Sequence, residues 1–264
     1  MNVLVLGKEC FEENIGWLYD KMSTISVVIP ARLESSRLPC KVLAGIRGKP
    51  MLRHVWEKAR LMNHCDELYV ATDDKKICDA ALSWGARVIM TARSCQSGTE
   101  RVASIVDQLN GDFILGIQAD MPFIHPLLLD QLVNHWKDNQ SAIVTPVYQI
   151  HDTQSVLDPN IVKVVLGVTQ KALYFSRGPL PYIHNVPVSL WLQKNKFWGH
   201  VGVYGFQRNI LMGYAKLTRT HLEQTESLEQ LRLIENGYTI QTIQTNLHSG
   251  SVDTQADLET AQNS

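Results

Sequence analysis

The sequence predicts an α/β fold, a doubly wound and mostly parallel sheet joined to a smaller mixed α+β part. Three observations carry this expectation. Short apolar runs alternate with segments of helical periodicity from residue 25 to about residue 150. Runs such as Ile25 to Ile29 and Phe113 to Gln118 are mostly continuous rather than strictly alternating, as in strands covered on both faces. After about residue 150 the rhythm changes to a hairpin pattern and a long loop rich in proline and aromatic residues.

Each element has its own signal. Ile25 to Ile29 reads as a buried strand. Pro50 opens a helix with Met51, Leu52, Val55, Trp56 and Ala59 on one face. Leu68 to Ala71 is a strand, and Lys75 to Trp84 a helix that Gly85 stops. Arg87 to Met90 is a strand. Val102, Ile105, Val106 and Leu109 form the apolar stripe of the next helix. Strand Phe113 to Gln118, helix Leu127 to Trp136 and strand Ala142 to Ile150 complete the alternating half. Val162 to Val168 and Ala172 to Phe175 then form a hairpin around Thr169-Gln170. The loop from Arg177 to Trp198 is long enough to suggest function or an interface. Strand His200 to Phe206, helix Leu222 to Glu235, strand Tyr238 to Thr245 and a helix over 255–263 close the chain.

Composition narrows the function. The chain has 264 residues, 45% hydrophobic and 19% charged, with a formal net charge of −1. That balance offers no global field for nucleic acid, so any anion is held by local basic loops. No apolar run approaches the roughly 18 residues of a membrane span. Glu9, Glu12, Glu13 and Asp20 interrupt any leader-like core. The five cysteines, Cys10, Cys40, Cys65, Cys78 and Cys95, are scattered without a CxxC pair, which reads as free thiols in a reducing cytoplasm. Residues 1–24 read as an extension, with Met22 a candidate natural start. Residues 25–264 form the main unit: an alternating part over 25–150, a part of changed rhythm over 151–250, and a closing helix over 251–264.

Five constellations carry chemistry. Arg32, Ser35, Ser36, Arg37 and Lys41 crowd the loop after the first strand, where ligands of open α/β sheets bind, and their donors suit a polyphosphate. A solvated basic loop is the plain alternative. Gln96-Ser97-Gly98-Thr99-Glu100-Arg101 opens a helix; Ser97 or Thr99 could simply cap it, or Gln96 and Ser97 could present hydrogen-bonding groups to a nucleobase. Asp120 follows a buried strand and is placed to hold Mg²⁺ on a triphosphate, or merely to form a turn before Pro122. Asp253 precedes the last helix, as a second metal ligand or an N-cap, with Thr254 and Asp257 resembling a capping box. Arg177, His200, Tyr204, Glu229, Gln230 and Arg232 could clamp an acidic, hydroxyl-rich substrate. The plain alternatives there are an exposed Glu229–Arg232 helix pair and a satisfied interior His200.

Together these segments resemble the 3-deoxy-manno-octulosonate (Kdo) cytidylyltransferases. The resemblance runs from Ile25 to about Ala261. It includes Ile29-Pro30-Ala31-Arg32, Ser36-Arg37-Leu38-Pro39, Gly48-Lys49-Pro50-Met51, Ala71-Thr72-Asp73 and Gln96 to Arg101. It continues through Pro159-Asn160, Val162-Lys163-Val164-Val165, Ala172 to Arg177, Tyr204-Gly205, Leu228 to Arg232 and Val252-Asp253-Thr254. It implies a nucleotide-diphosphosugar-transferase-like sheet and the reaction of CTP with Kdo to give CMP-Kdo and pyrophosphate, with Mg²⁺, for lipopolysaccharide biosynthesis in a cytoplasmic homodimer. Carried over, Arg37, Lys41 and Asp120 are catalytic. Arg32, Ser35, Ser36, Asp73, Gln96, Ser97, Gly98 and Arg101 bind the nucleotide. Gln118, Arg177, His200, Tyr204, Glu229 and Gln230 face the sugar acid, and Asp120 and Asp253 hold the metal.

Some residues depart from the family pattern. Gln118-Ala119-Asp120-Met121-Pro122 stands for the usual Gln-Gly-Asp-Glu-Pro, Cys40 for a glycine, and Gly205-Phe206-Gln207 for Gly-Tyr-Arg. These leave open a different acceptor, such as 8-amino-Kdo, another 2-ulosonic acid or a phosphonate, and a non-catalytic nucleotide-binding relative.

Overall fold

The structure is a computed structural model that describes residues 23–34, 38–247 and 250–263. The candidate start at Met22 and the phosphate-loop residues Ser35, Ser36 and Arg37 lie outside the described residues.

The first half alternates as its hydrophobic pattern dictates. Strand β1 spans Ile25–Ala31, and a small ribbon of β2 (Gly45–Ile46) and β3 (Lys49–Pro50) leads into helix α1 (Met51–Ala59). Then come β4 (Glu67–Thr72), α2 (Lys75–Ser83), β5 (Arg87–Met90), α3 (Gly98–Ala103), β6 (Phe113–Ile117), α4 (Pro126–Asn139) and β7 (Ile143–Ile150). The buried residues of α1 are the five its stripe predicted: Met51, Leu52, Val55, Trp56 and Ala59. The stripe from Val102 to Leu109 does not form one helix. Helix α3 ends at Ala103, and Val106–Gln108 is a separate 3-10 turn.

Strands β5, β4, β1 and β6 lie side by side and parallel. Their apolar runs are continuous because helices cover both faces. Val27 and Ile29 of β1 enter a cluster with α1, α2 and α4, whereas Val28 between them joins a cluster with α3. The chain moves outward from β1 to β4 and β5, then returns to the other side of β1 as β6. That reversal makes the carboxyl ends of β1 and β6 the topological switch point, where such sheets open a crevice.

The second half extends the same ten-stranded sheet mainly with antiparallel pairings, while the strand Gln241–Gln244 pairs parallel with β7. Its elements are α5 (Thr153–Leu157), β8 (Lys163–Leu166), β9 (Ala172–Ser176), α6 (Trp191–Lys194), β10 (Phe197–His200), β11 (Val203–Gln207), α7 (Arg208–Tyr214), α8 (His221–Glu226), α9 (Leu231–Glu235), β12 (Gln241–Gln244) and α10 (Gln255–Asn263). Two expectations need correction. The strand expected from His200 to Phe206 is two strands: β10 pairs with the end of β7, and β11 pairs with its beginning and with β6. The helix expected over 222–235 breaks at Ser227, whose φ of 52° lies in the left-handed region. The Arg177–Trp198 loop carries its own apolar cluster, in which Trp191 stacks on Phe197 at 5.8 Å.

Gly205 is fixed by contact. A Cβ there would collide with the Phe113 ring, which is itself stacked on Trp136 at 4.7 Å. We expect Gly205→Ala to destabilise the fold by about 1–3 kcal/mol, read as a lower denaturant midpoint, because the Phe113 ring has no free side to move into.

Candidate active site

The crevice at the ends of β1 and β6 is lined by Arg32, Glu34, Lys41, Ser97, Gly98, Arg101, Gln118, Ala119, Asp120 and Asp253, among others. At its centre Lys41 Nζ donates to Asp120 Oδ2 at 2.7 Å and to Asp253 Oδ1 at 3.0 Å. Burial works to lower the lysine pKa, but the two carboxylates outweigh it and hold the ammonium above the ordinary lysine value. The stabilisation tied to this raised lysine pKa is lost only as pH rises through the folded value, so the Lys41 ammonium is charged throughout the neutral range.

Local structure shows which of the two acids caps or turns the backbone and where their carboxylates go. Thr254 Oγ1 accepts from Asp257 N, and Asp257 Oδ2 accepts from the Thr254 and Asp253 amides, so this pair caps α10. Asp253 therefore does not cap, and one of its carboxylate oxygens meets Lys41. Asp120 does sit in a turn, where Met121 N donates to Gln118 O, but its carboxylate also goes to Lys41. The departures in the same turn fit without strain. Ala119 has no left-handed backbone, and Met121 is buried in the main core. Cys40, by contrast, has φ 55°, a conformation that explains why glycine suits that position.

The Gln96–Arg101 segment is built from both sides. Ser97 caps α3 by accepting from Glu100 N at 3.2 Å, and Glu229 Oε2 accepts from Thr99 N at 2.9 Å. Glu100 Oε2 accepts from Gln96 N at 2.7 Å, and Arg219 Nη1 donates to Gln96 Oε1 at 2.5 Å. Gly98 is needed for close approach, since a Cβ there would sit 2.7 Å from the Gln118 amide. Arg101 lines the crevice while bonding Thr91 Oγ1 and, at 3.2 Å, Asp73 Oδ2; Asp73 itself is not among the lining residues.

Two further clefts adjoin this one, and Gln118 and Asp120 line all three. One also holds Gln96, His200, Tyr204, Arg219, Glu229 and Gln230. The other holds Met121, Tyr148, Asn160, Arg177, His200 and Asp253. The residues expected to face an acceptor are thus gathered beside Asp120. Arg177 already uses three donors on the carbonyls of Glu226, Pro159 and Ser227. The Tyr204 hydroxyl is buried without a partner, and burial, with Glu229 nearby, pushes its pKa well up.

Glu229 and Arg232 are not an exposed helix pair. Arg232 is 3% exposed and bonds Glu223 and Glu100, with its guanidinium 4.7 Å over the Tyr214 ring. Sequence inspection singled out neither Glu223 nor Arg219. They pair with each other at i,i+4, but the contacts that tie them to the site reach Arg232, 9 residues from Glu223, and Gln96, 123 residues from Arg219, which no local pattern marks.

The comparisons with known proteins follow the same outline. A family model described as Cytidylyltransferase matches residues 26–243. The 3-deoxy-manno-octulosonate cytidylyltransferase of Chlorobium limicola is 41% identical over 236 residues, covering 88% of this chain and 94% of that protein. The chain belongs to the cytidylyltransferase family. The Escherichia coli 3-deoxy-manno-octulosonate cytidylyltransferase is 38% identical, with 90% of this chain and 94% of that one covered. A solved CMP:2-keto-3-deoxy-manno-octonic acid synthetase complexed with CTP superposes with a TM-score of 0.84 at 38% identity, over 91% of this chain and 98% of that one. A cytidylyltransferase is thus an α/β enzyme whose crevice here lies at the switch point of its sheet.

Arg232→Met should cost about 3–5 kcal/mol, because it strands two carboxylates behind the Gln96 loop. The sign with pH is specific. Burial acts to raise the Glu100 pKa, but Arg232 and the Gln96 amide hold it below the ordinary value, so its stabilisation is present above about pH 4.5 and is lost on acidification. The loss on substitution is therefore expected to be largest near pH 7 and smallest near pH 4, as measured by urea unfolding at the two values.

Proposed function

We propose that this chain transfers a cytidylyl group from CTP to the anomeric hydroxyl of Kdo, giving CMP-Kdo and pyrophosphate. The observation that carries this reading is the Lys41–Asp120–Asp253 triad, set at the sheet's switch point between a crevice with phosphate-binding character and clefts lined by Arg177, His200, Tyr204, Glu229 and Gln230. The named relatives and the CTP-bound neighbour support the same donor and acceptor.

In this reading the crevice receives CTP. Gln96, Ser97 and the start of α3 face the base, while Arg32 and Lys41, with Arg37, Ser35 and Ser36 of the same loop, hold the phosphates. The acceptor lies on the far side of Gln118 and Asp120. Its hydroxyl oxygen forms a bond to the α-phosphorus as the bond to the β-phosphate oxygen breaks, and the hydroxyl proton passes to solvent. Positioning and electrostatics dominate such transfers. Lys41 stays cationic and offsets charge that grows on the departing pyrophosphate.

The donor set suits Mg²⁺. Among the described residues no cluster of three or more His, Cys, Asp or Glu could cage an ion. Two carboxylates that converge on one ammonium at the crevice fit a cation that takes one or two protein carboxylates and completes its shell with phosphates and water. Asp120 and Asp253 would hold it. When bound, it would supply Lewis-acid neutralisation of the phosphoryl charge.

Leu173, Tyr182, Leu190 and Val168 are exposed apolar residues of the second half, which suits a homodimer contact there. The described cysteines are free, and no helix among the described residues is long and apolar enough to cross a membrane, which suits work in the cytoplasm on a precursor of lipopolysaccharide. Met121 lines the Arg177 cleft in place of the family's acid and favours testing a second acceptor.

The test is pyrophosphate release from CTP and Mg²⁺ with Kdo, with 8-amino-Kdo and without acceptor. Release with Kdo is expected, and Asp120→Asn should reduce it at least about a hundredfold in a folded protein. Release only with 8-amino-Kdo would move the specificity. Silence with every acceptor would contradict the proposal, and near-normal turnover in Asp120→Asn would reduce Asp120 to a turn residue.

A further inference from the structure

His200 ends β10 with its ring between Phe175 at 5.2 Å and Tyr204 at 5.1 Å, on the wall shared by the two acceptor-side clefts. Its Nε2 lies 2.9 Å from Thr145 Oγ1. Thr145 is fully buried in β7, and the same oxygen lies 2.7 Å from Val203 O and 3.5 Å from Val201 O. A hydroxyl has a single proton, and a carbonyl oxygen can only accept. The shorter contact directs the threonine hydroxyl proton toward Val203 O, to which Oγ1 donates. Thr145 Oγ1 must then accept from His200, so the imidazole proton is on Nε2 and the lone pair is on Nδ1.

The other ring nitrogen has a different setting. Nδ1 makes no hydrogen bond to the described residues, and the His200 side chain lines both acceptor-side clefts. Burial alone lowers the His200 pKa, to about 3. The ring is therefore neutral across the working pH range. It cannot act as a cation toward a carboxylate, and it is too weak a base to take a proton near pH 7.

We propose that Thr145 is a positioning residue that locks His200 as the Nε2–H tautomer, so that Nδ1 accepts a hydrogen bond from a hydroxyl of the sugar acid. This rests on the functional reading above for the identity of that hydroxyl, and on geometry alone for the tautomer. Acceptor recognition at this wall is thereby selective for a hydroxyl donor, and carboxylate recognition falls to other groups.

The test uses the full chain with ¹⁵N-labelled histidine and long-range ¹H–¹⁵N spectra. In the ligand-free wild type, His200 is expected to show a protonated Nε2 and a bare Nδ1, unchanged from pH 6 to 8. Thr145→Ser keeps the hydroxyl and should keep that signature. Thr145→Val keeps the shape, removes the acceptor and should lose it. In turnover, Thr145→Val should raise KM for Kdo about tenfold while KM for CTP changes little, with Thr145→Ser restoring it. In a His200→Ala background Thr145→Val should add nothing further. A wild-type Nδ1–H tautomer, or a Thr145→Val enzyme with unaltered spectrum and KM, would overturn the assignment. Absence of wild-type turnover with Kdo would instead overturn the functional reading, since the spectra need no substrate.

Discussion

One ammonium group between two carboxylates organises this molecule. Lys41 comes from the loop after β1, Asp120 from the turn after β6, and Asp253 from the segment before α10, at separations of 79 and 212 residues from the lysine. No local preference brings such groups together. They meet because β1 and β6 are neighbours in the sheet and because the chain's end packs back on its beginning, with Leu258 and Ala261 of α10 against Ile46 and Met51. Val252 N also donates to Asp120 O at 2.9 Å, which ties the two acidic segments by backbone. The sheet, the switch point and the closing helix thus serve a common geometry.

The remaining walls are rigid for separate physical reasons. On the nucleotide side, Arg232 is enclosed by Glu100, Glu223 and the Tyr214 ring, and the other Glu100 oxygen holds the Gln96 amide. A fully paired charge network can be buried where a single charge cannot. On the acceptor side, Lys163 is wholly buried and donates to the carbonyls of Asp158 and Ile161, while Arg177 bonds Pro159 O, so the 158–161 turn is fixed from both ends. Gln118 is the divider, pressed against Gly98 on one side and lining the acceptor clefts on the other. Pre-set walls of this kind suit a transfer governed by alignment.

Much of this was legible in the sequence, and the exceptions have causes. The parallel half could be read because its strands are largely unbroken apolar runs and because α1 shows five apolar residues at helical spacing, all of them buried. The second half misled at two turns that local sequence does not mark clearly. Ser227 takes a left-handed conformation, and Gly202, an ambiguous signal within a strand, lies where β10 gives way to β11. Lys41, Asp120 and Asp253 were legible as residues, because their positions at strand ends and before a helix are local features. Glu229 could not be read as the acceptor for the Thr99 amide, 130 residues away. Thr145 lay hidden in an apolar run whose pattern speaks only of a strand.

The most direct test of the central arrangement is calorimetric titration of CTP into the wild type and Asp253→Asn, each with and without Mg²⁺ and without acceptor. If Asp120 and Asp253 hold the cation against the triphosphate, Mg²⁺ strengthens CTP binding to the wild type by about tenfold or more, and Asp253→Asn loses most of that gain while remaining folded. Equal CTP affinity with and without Mg²⁺ in the wild type, or a gain that Asp253→Asn preserves, would contradict the role given to the two carboxylates.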